Sequence, residues 1–168
     1  MQKLALACAL VTNPQVMFLD EPTTGVDPVS RRAFWRLLDG VRVEGVAILY
    51  ATANMDEAER CDAVAVLEEG RIRRSGTPRQ MIEREGLVLF GVRGPDIRSR
   101  RDRLRELPGV VLAFPVGERL NVWVETGLQG EFRQELETKF PDLVGEPIEP
   151  GLPDAALRDL ALAERDNG

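Results

Sequence analysis

The stretch that most constrains this chain is Val16-Met17-Phe18-Leu19, four apolar residues without alternation, followed at once by Asp20-Glu21-Pro22. Such a run reads as a strand covered on both faces, the pattern of strands in parallel α/β sheets. Ligands of these sheets sit at the carboxyl ends of strands, so this placement delivers Asp20 and Glu21 to a site from a rigid support. Adjacent carboxylates repel one another unless a cation, a shared proton or water relieves them, and the pair therefore asks for a metal. In phosphoryl transfer from a nucleotide, one acid holds Mg²⁺, often through water, and another orients or deprotonates the attacking water. Asp20 and Glu21 fit those roles in that order. An Asp-Glu pair entering a turn is also a common structural device, and the two residues alone leave both readings open.

The flanking segments supply what such a strand needs. Residues 1 to about 11 carry Leu4, Ala7, Cys8 and Val11 at helical spacing, a core-facing helix that stops at Asn13-Pro14. Asp27 is a good N-cap with Pro28 at the first helical position, and Phe34, Leu37, Leu38 and Val41 form a stripe suited to lying on a sheet. Val46 to Ala51 is a second buried strand with Thr52-Ala53-Asn54 at its end. Met55 to Cys61 reads as a short helix whose acids Asp56, Glu57 and Glu59 form a solvated face. A hairpin, Ala63 to Leu67 and Arg71 to Ser75, turns at Glu69-Gly70, and Thr77-Pro78 opens a helix to about Glu85.

Gly86 marks a change of pattern. The remainder reads strand (87–92), helix (95–107), strand (110–114), strand (120–125), helix (128–140) and weak strand (143–148), with Phe132, Leu136 and Phe140 spaced by four. This βαββαβ sequence is the ferredoxin-like order. A last helix, 154–164, carries Leu157, Leu160 and Ala161 on one side. The expected organisation is therefore an α/β segment over residues 1–86 and a small α+β domain over 87–168.

Composition narrows the partners. The net charge of −6 gives no basic face for nucleic acid. Cys8 and Cys61 have no metal-ligand spacing and read as small buried hydrophobes of a reducing compartment. No apolar run approaches the length of about 18 residues that a membrane-spanning helix needs.

Val16 to Pro22 resembles the Walker B motif of ATP-binding-cassette (ABC) transporter ATPases, and Thr24-Gly25-Val26-Asp27-Pro28 resembles the D-loop that follows it. Gln2 to Ala7 is similar to the start of the helix after the signature motif, Asn54 to Asp62 to the segment after the switch loop, and Gly70-Arg71-Ile72 with Gly76-Thr77-Pro78 to the closing hairpin. Four ordered motifs over roughly half the chain are more specific than any one of them. The second half resembles the C-terminal domain of ATPases serving ABC-2-type drug-resistance exporters, with Pro150 to Leu160 a degraded form of the family's closing segment. The resemblance implies a P-loop NTPase sheet of ABC type, C-terminal part, followed by a ferredoxin-like domain that packs and supports dimers.

The resemblance further implies ATP and Mg²⁺ as ligands. Asp20 would hold Mg²⁺ through water, Glu21 would activate water, and Asp27 would touch a second cassette in an ATP-bound dimer, besides its local reading as a helix cap. Ala53 stands where most of the family has a histidine that contacts the γ-phosphate, and the chain contains no histidine. Hydrolysis should then be slowed or lean on Glu21 alone, with Asn54 or Thr52 as substitute donors. The implied partners are a membrane permease, a second cassette and the N-terminal half of this one, at the cytoplasmic face of the cell membrane.

An ATP site needs a phosphate cradle, G-x-x-x-x-G-K-[ST]. The glycine pairs at that spacing, Gly40/Gly45 and Gly86/Gly91, are each followed by valine, and no signature motif precedes Gln2. The expectation is a cassette part that alone binds ATP poorly and hydrolyses almost none. The alternative is a non-catalytic regulatory or scaffolding remnant docking through residues 87–168; the intact Asp20-Glu21 pair weighs against it.

Overall fold

The computed structural model describes residues 2–166, which form two compact units parted after Glu57. In the first, α1 (Gln2–Leu10) precedes a β-α-β unit of β1 (Val16–Asp20), α2 (Pro28–Val43) and β2 (Ala47–Ala51), and α3 (Met55–Ala58) begins just beyond. β1 and β2 pair in parallel, with Phe18 opposite Leu49 and Asp20 opposite Ala51. Parallel neighbours need a crossover, and α2 is that crossover.

Local chemistry sets the helix ends. Asp27 Oδ1 accepts from the amides of Val29 (3.0 Å) and Ser30 (2.9 Å), two of the donors that a helix start leaves without intrahelical partners. Pro28 follows with φ already suited to the helix. Gly45, at φ +91°, makes the reversal into β2 in a conformation that side chains disfavour.

Met17, Leu19, Ile48 and Tyr50 share one face of the two strands by the register and the period of two. α2 covers that face with Phe34, Trp35, Leu38 and Val41, and the rings of Trp35 and Tyr50 lie 4.8 Å apart. Here the sequence expectation needs correction in one position: Leu37 points outward, and Trp35 takes its place in the buried stripe. The opposite face is bare. Val16, Phe18 and Leu49 are 50%, 76% and 63% exposed, so the strand expected to be covered twice is covered once.

The first helix also differs from its expectation. Leu4, Val11 and Cys8 are exposed, and Leu6 is well buried. Cys61 is half-buried, so neither cysteine is the enclosed hydrophobe expected.

The second unit opens with an antiparallel hairpin of β3 (Val64–Glu68) and β4 (Arg71–Gly76), turned by Glu69 and Gly70, both with positive φ as a two-residue hairpin turn requires. α4 (Pro78–Ile82) starts from a reciprocal cap between Thr77 and Gln80. A four-stranded antiparallel sheet follows, ordered β6 (Val110–Val116), β7 (Arg119–Glu125), β5 (Leu87–Arg93), β8 (Val144–Pro147). Between strands lie α5 (Arg101–Arg105), preceded by a 3₁₀ turn at Ile97–Arg100, and α6 (Gln129–Lys139). The helix expected over 95–107 is thus a 3₁₀ turn running into a short α-helix. Phe132, Leu136 and Phe140 are all buried, with the Phe132 ring 5.0 Å from that of Phe90.

α7 (Leu152–Asp166) closes the chain and lies against α4. Its Leu157 and Leu160, placed on one side by their spacing, are exposed, while Arg158 is fully buried. The guanidinium explains this. Its Nη1 donates to the Ile82 carbonyl (2.7 Å), Nη2 to that of Met81 (3.4 Å) and Nε to Asp159 Oδ1 (2.9 Å), and the group sits 5.0 Å from the Trp123 ring centre. Desolvation, then the neighbouring Arg84 and Arg74, push its pKa down to about 10, which leaves it charged at neutral pH.

Candidate functional site

β1 carries Asp20 to its end, where the residue is exposed opposite Ala51. Glu21 extends the ladder by one bond, its amide donating to the Ala51 carbonyl at 2.9 Å. The chain then reverses at once: Glu21 takes φ +44°, a left-handed conformation uncommon for residues other than glycine, and its carbonyl accepts from the Thr24 amide at 3.2 Å. Outliers of this type concentrate at functional sites, where the surrounding structure holds them.

Two donors hold the Glu21 carboxylate. The backbone N–H of Ala53 donates to Oε1 at 2.6 Å, and the Thr24 hydroxyl donates to Oε2 at 3.1 Å. Each oxygen keeps acceptor capacity toward solvent, since Glu21 is exposed. The structure therefore brings three of the sequence-derived candidates together: Asp20, Glu21 and, through its main chain, Ala53. Thr52 and Asn54, the other donors considered at this loop, make local bonds here. The Thr52 hydroxyl donates to Glu57 at 3.1 Å, and Asn54 Oδ1 accepts from the Asp56 amide, capping α3.

Asp27 directs its carboxylate to the first amides of α2. Hydrogen bonds from the Ser30 side chain, then from the backbone of Ser30 and Val29, hold its pKa below the ordinary value.

Glu57 is the residue that sequence reasoning missed. It is not part of a solvated face but 3% exposed, and it accepts from the hydroxyls of Thr23, Tyr50 (2.8 Å) and Thr52 (3.1 Å), with Arg31 Nε 3.5 Å away. Desolvation alone would raise its pKa. The three hydroxyls and the charge of Arg31 outweigh that and bring it below the ordinary value, so the buried group is ionised. The available signal was the set of hydroxyl residues behind Glu21 and at the end of β2, donors that only a buried acceptor would use together.

Among the described residues no cluster of three or more acids, histidines or cysteines forms a metal site by itself. Asp20 and Glu21 nevertheless suit Mg²⁺ when a phosphate completes its shell, because this hard ion keeps several waters and takes one or two carboxylates beside phosphate oxygens. Among the described residues no helix is long and apolar enough to cross a membrane.

A parallel β-α-β unit that presents two acids at a strand end, the second clamped by the amide of the neighbouring strand's loop, places those acids at the carboxyl edge of an α/β sheet, the edge at which ligands of such sheets sit. No protein-family model matches the chain. It is 42% identical over 127 residues to the Nod factor export ATP-binding protein I of Burkholderia thailandensis, covering 74% of this chain and 39% of that protein. The Burkholderia orbicola protein of the same name is 46% identical over 105 residues, covering 61% and 34%. The probable multidrug ABC transporter ATP-binding protein YbhF of Escherichia coli is 48% identical over 77 residues, covering 46% and 13%. The chain belongs to the ABC transporter ATP-binding proteins. It spans about two-fifths or less of the length of these curated relatives.

Proposed function

We propose that the chain serves as the Walker B, D-loop and switch-loop part of an ABC-2-type exporter ATPase, coupling ATP hydrolysis to export of drugs or other small molecules through a membrane permease. The observation that carries this reading is the Glu21 carboxylate, held at an exposed strand end by the Ala53 amide at 2.6 Å with Asp20 beside it. Asp20 would hold Mg²⁺ through water, and the ion would tie the phosphate oxygens of ATP to the site and neutralise charge developing on them. Glu21, fixed by two donors, is set to accept a proton from a water before it. Ala53 contributes a main-chain donor at the position where the resemblance to ABC ATPases places a histidine, so Glu21 is aimed without an imidazole.

In this reading Asp27 reaches a second cassette while capping α2, and the remaining wall of the site comes from an N-terminal cassette segment that also covers the bare face of β1 and β2. Residues 1–86 belong to the ATPase part. Residues 87–168 form an accessory domain of ferredoxin-like type, supported by its element order and its strand order β6-β7-β5-β8. Work is done at the cytoplasmic face of the cell membrane, with the permease as anchor.

Isothermal titration with Mg-ATP tests the proposal, using the chain alone and with an N-terminal cassette segment carrying a Gly-rich phosphate loop. Binding and turnover are expected only for the pair, and Glu21→Gln is expected to keep binding and lose turnover. Turnover that survives Glu21→Gln, or a pair that fails to bind, would overturn it; the latter result would favour a scaffolding remnant.

A further inference from the structure

Glu57 has no part in the roles above, yet it gathers four side-chain partners. Those partners come from four segments: Thr23 from the turn behind the two acids, Arg31 from α2, Tyr50 from β2 and Thr52 from the loop after it. An ionised carboxylate only accepts, so each of the three hydroxyls must point its hydrogen at Glu57. Arg31 Nε is buried, forms no hydrogen bond and stands 3.5 Å off. The hydroxyls therefore orient the group.

The Thr52 hydroxyl, its proton committed to Glu57, uses a lone pair to accept the Asn54 amide at 2.9 Å. That fixes the bend over residues 52–54 and leaves the intervening Ala53 N–H directed at Glu21 Oε1. On the other side Glu57 holds Thr23, and the next residue, Thr24, donates to Glu21 Oε2. Each donor that grips Glu21 thus sits one residue from a side chain that Glu57 grips. We propose that Glu57 is a positioning residue for Glu21, setting through Thr52 and Thr23 the two donors that aim the Glu21 carboxylate. Its functional meaning rests on the reading of Glu21 as the group that orients water, whereas the linkage itself is a property of the nucleotide-free chain.

The test is the Ala53 amide proton in the ¹⁵N-labelled full chain. A short bond to a carboxylate gives this proton a downfield shift and slow exchange, and Glu21→Gln is expected to move it upfield and speed its exchange about tenfold. Thr52→Val, nearly isosteric but without the hydroxyl, is expected to do the same with Glu21 untouched, and Thr52→Ser to restore the original signal. Glu57→Gln should match Thr52→Val; if that variant does not fold, the two Thr52 variants decide. A Thr52→Val protein that melts lower yet keeps the Ala53 shift and exchange rate overturns the proposal and leaves Glu57 a buried structural acid. Because no nucleotide is present, failure of the pair to bind Mg-ATP would sink the proposed function without touching this result.

Discussion

Phe18→Ser should be nearly silent in the chain by itself and damaging in a completed cassette. Phe18 is 76% exposed on β1, beside Val16 at 50% and across from Leu49 at 63%. Full burial of a large apolar side chain is worth about 1.5–3 kcal/mol, so Phe18 has about 1–2 kcal/mol still to gain and the three side chains about 3–6 kcal/mol together. Removing an exposed side chain should change the stability of the isolated chain by no more than about 0.5 kcal/mol. Urea unfolding followed by tryptophan emission reads this through Trp35, which packs on Tyr50 in the first unit, with Trp123 reporting the second unit. Binding of an N-terminal cassette segment, measured by titration calorimetry, should weaken by about 1–2 kcal/mol, roughly 5- to 30-fold. Two results would refute the reasoning. A loss of more than about 2 kcal/mol in the isolated chain would mean Phe18 is buried, by self-association or otherwise, and an unchanged affinity would mean the segment lies elsewhere.

Asp27→Ala should lower stability by about 1 kcal/mol through loss of the α2 cap, with Asp27→Asn close to the native chain, as read from urea midpoints. Acid should strip a specific part of the stability. The folded-state pKa of Glu57 lies below its ordinary 4.5, so the unfolded chain binds the proton first; its contribution is complete above about that pH and is lost as pH falls through the folded value. Melting temperatures taken from about pH 6 to about pH 3 should show this loss, and Glu57→Gln should flatten it; parallel curves would contradict the assignment. In the second unit Phe132→Ala should cost about 3–5 kcal/mol, because the ring is fully buried against Phe90, and denaturant unfolding checks it.

What could be read from the chain beforehand was whatever rests on local periodicity. β1, the Asp27 cap, the Glu69-Gly70 turn and the run Phe132, Leu136, Phe140 each carry their reason within a few residues. What escaped rests on partners distant in sequence. Glu57 looks like any acid on the outer side of a short helix until three hydroxyls from residues 23, 50 and 52 converge on it. Trp35 replaces Leu37 in the buried stripe because Tyr50 offers a ring to pack on, a fact absent from the helix itself. The stripes of α1 and α7 were apolar at the right spacing, yet periodicity tells which face is greasy and says nothing of whether a neighbour exists to cover it. At the candidate site, the strand placed Asp20 and Glu21 at its end, but that the main chain of Ala53 bonds to Glu21 was hidden, since every residue type but proline has an amide there.

The buried guanidinium of α7 makes that helix behave like a keyed shaft. Sliding by one turn, about 5.4 Å, would bring Ala161 and Leu162, or Asp154 and Ala155, against the carbonyls of Met81 and Ile82. None of those side chains carries a guanidinium or amino donor, and the charged fork would be torn from its two oxygens and from the indole beneath it. α7 is therefore indexed to a single axial setting on α4, and a pull on the tail of the chain is transmitted to the β3–β4 hairpin side of its unit instead of being absorbed by slippage.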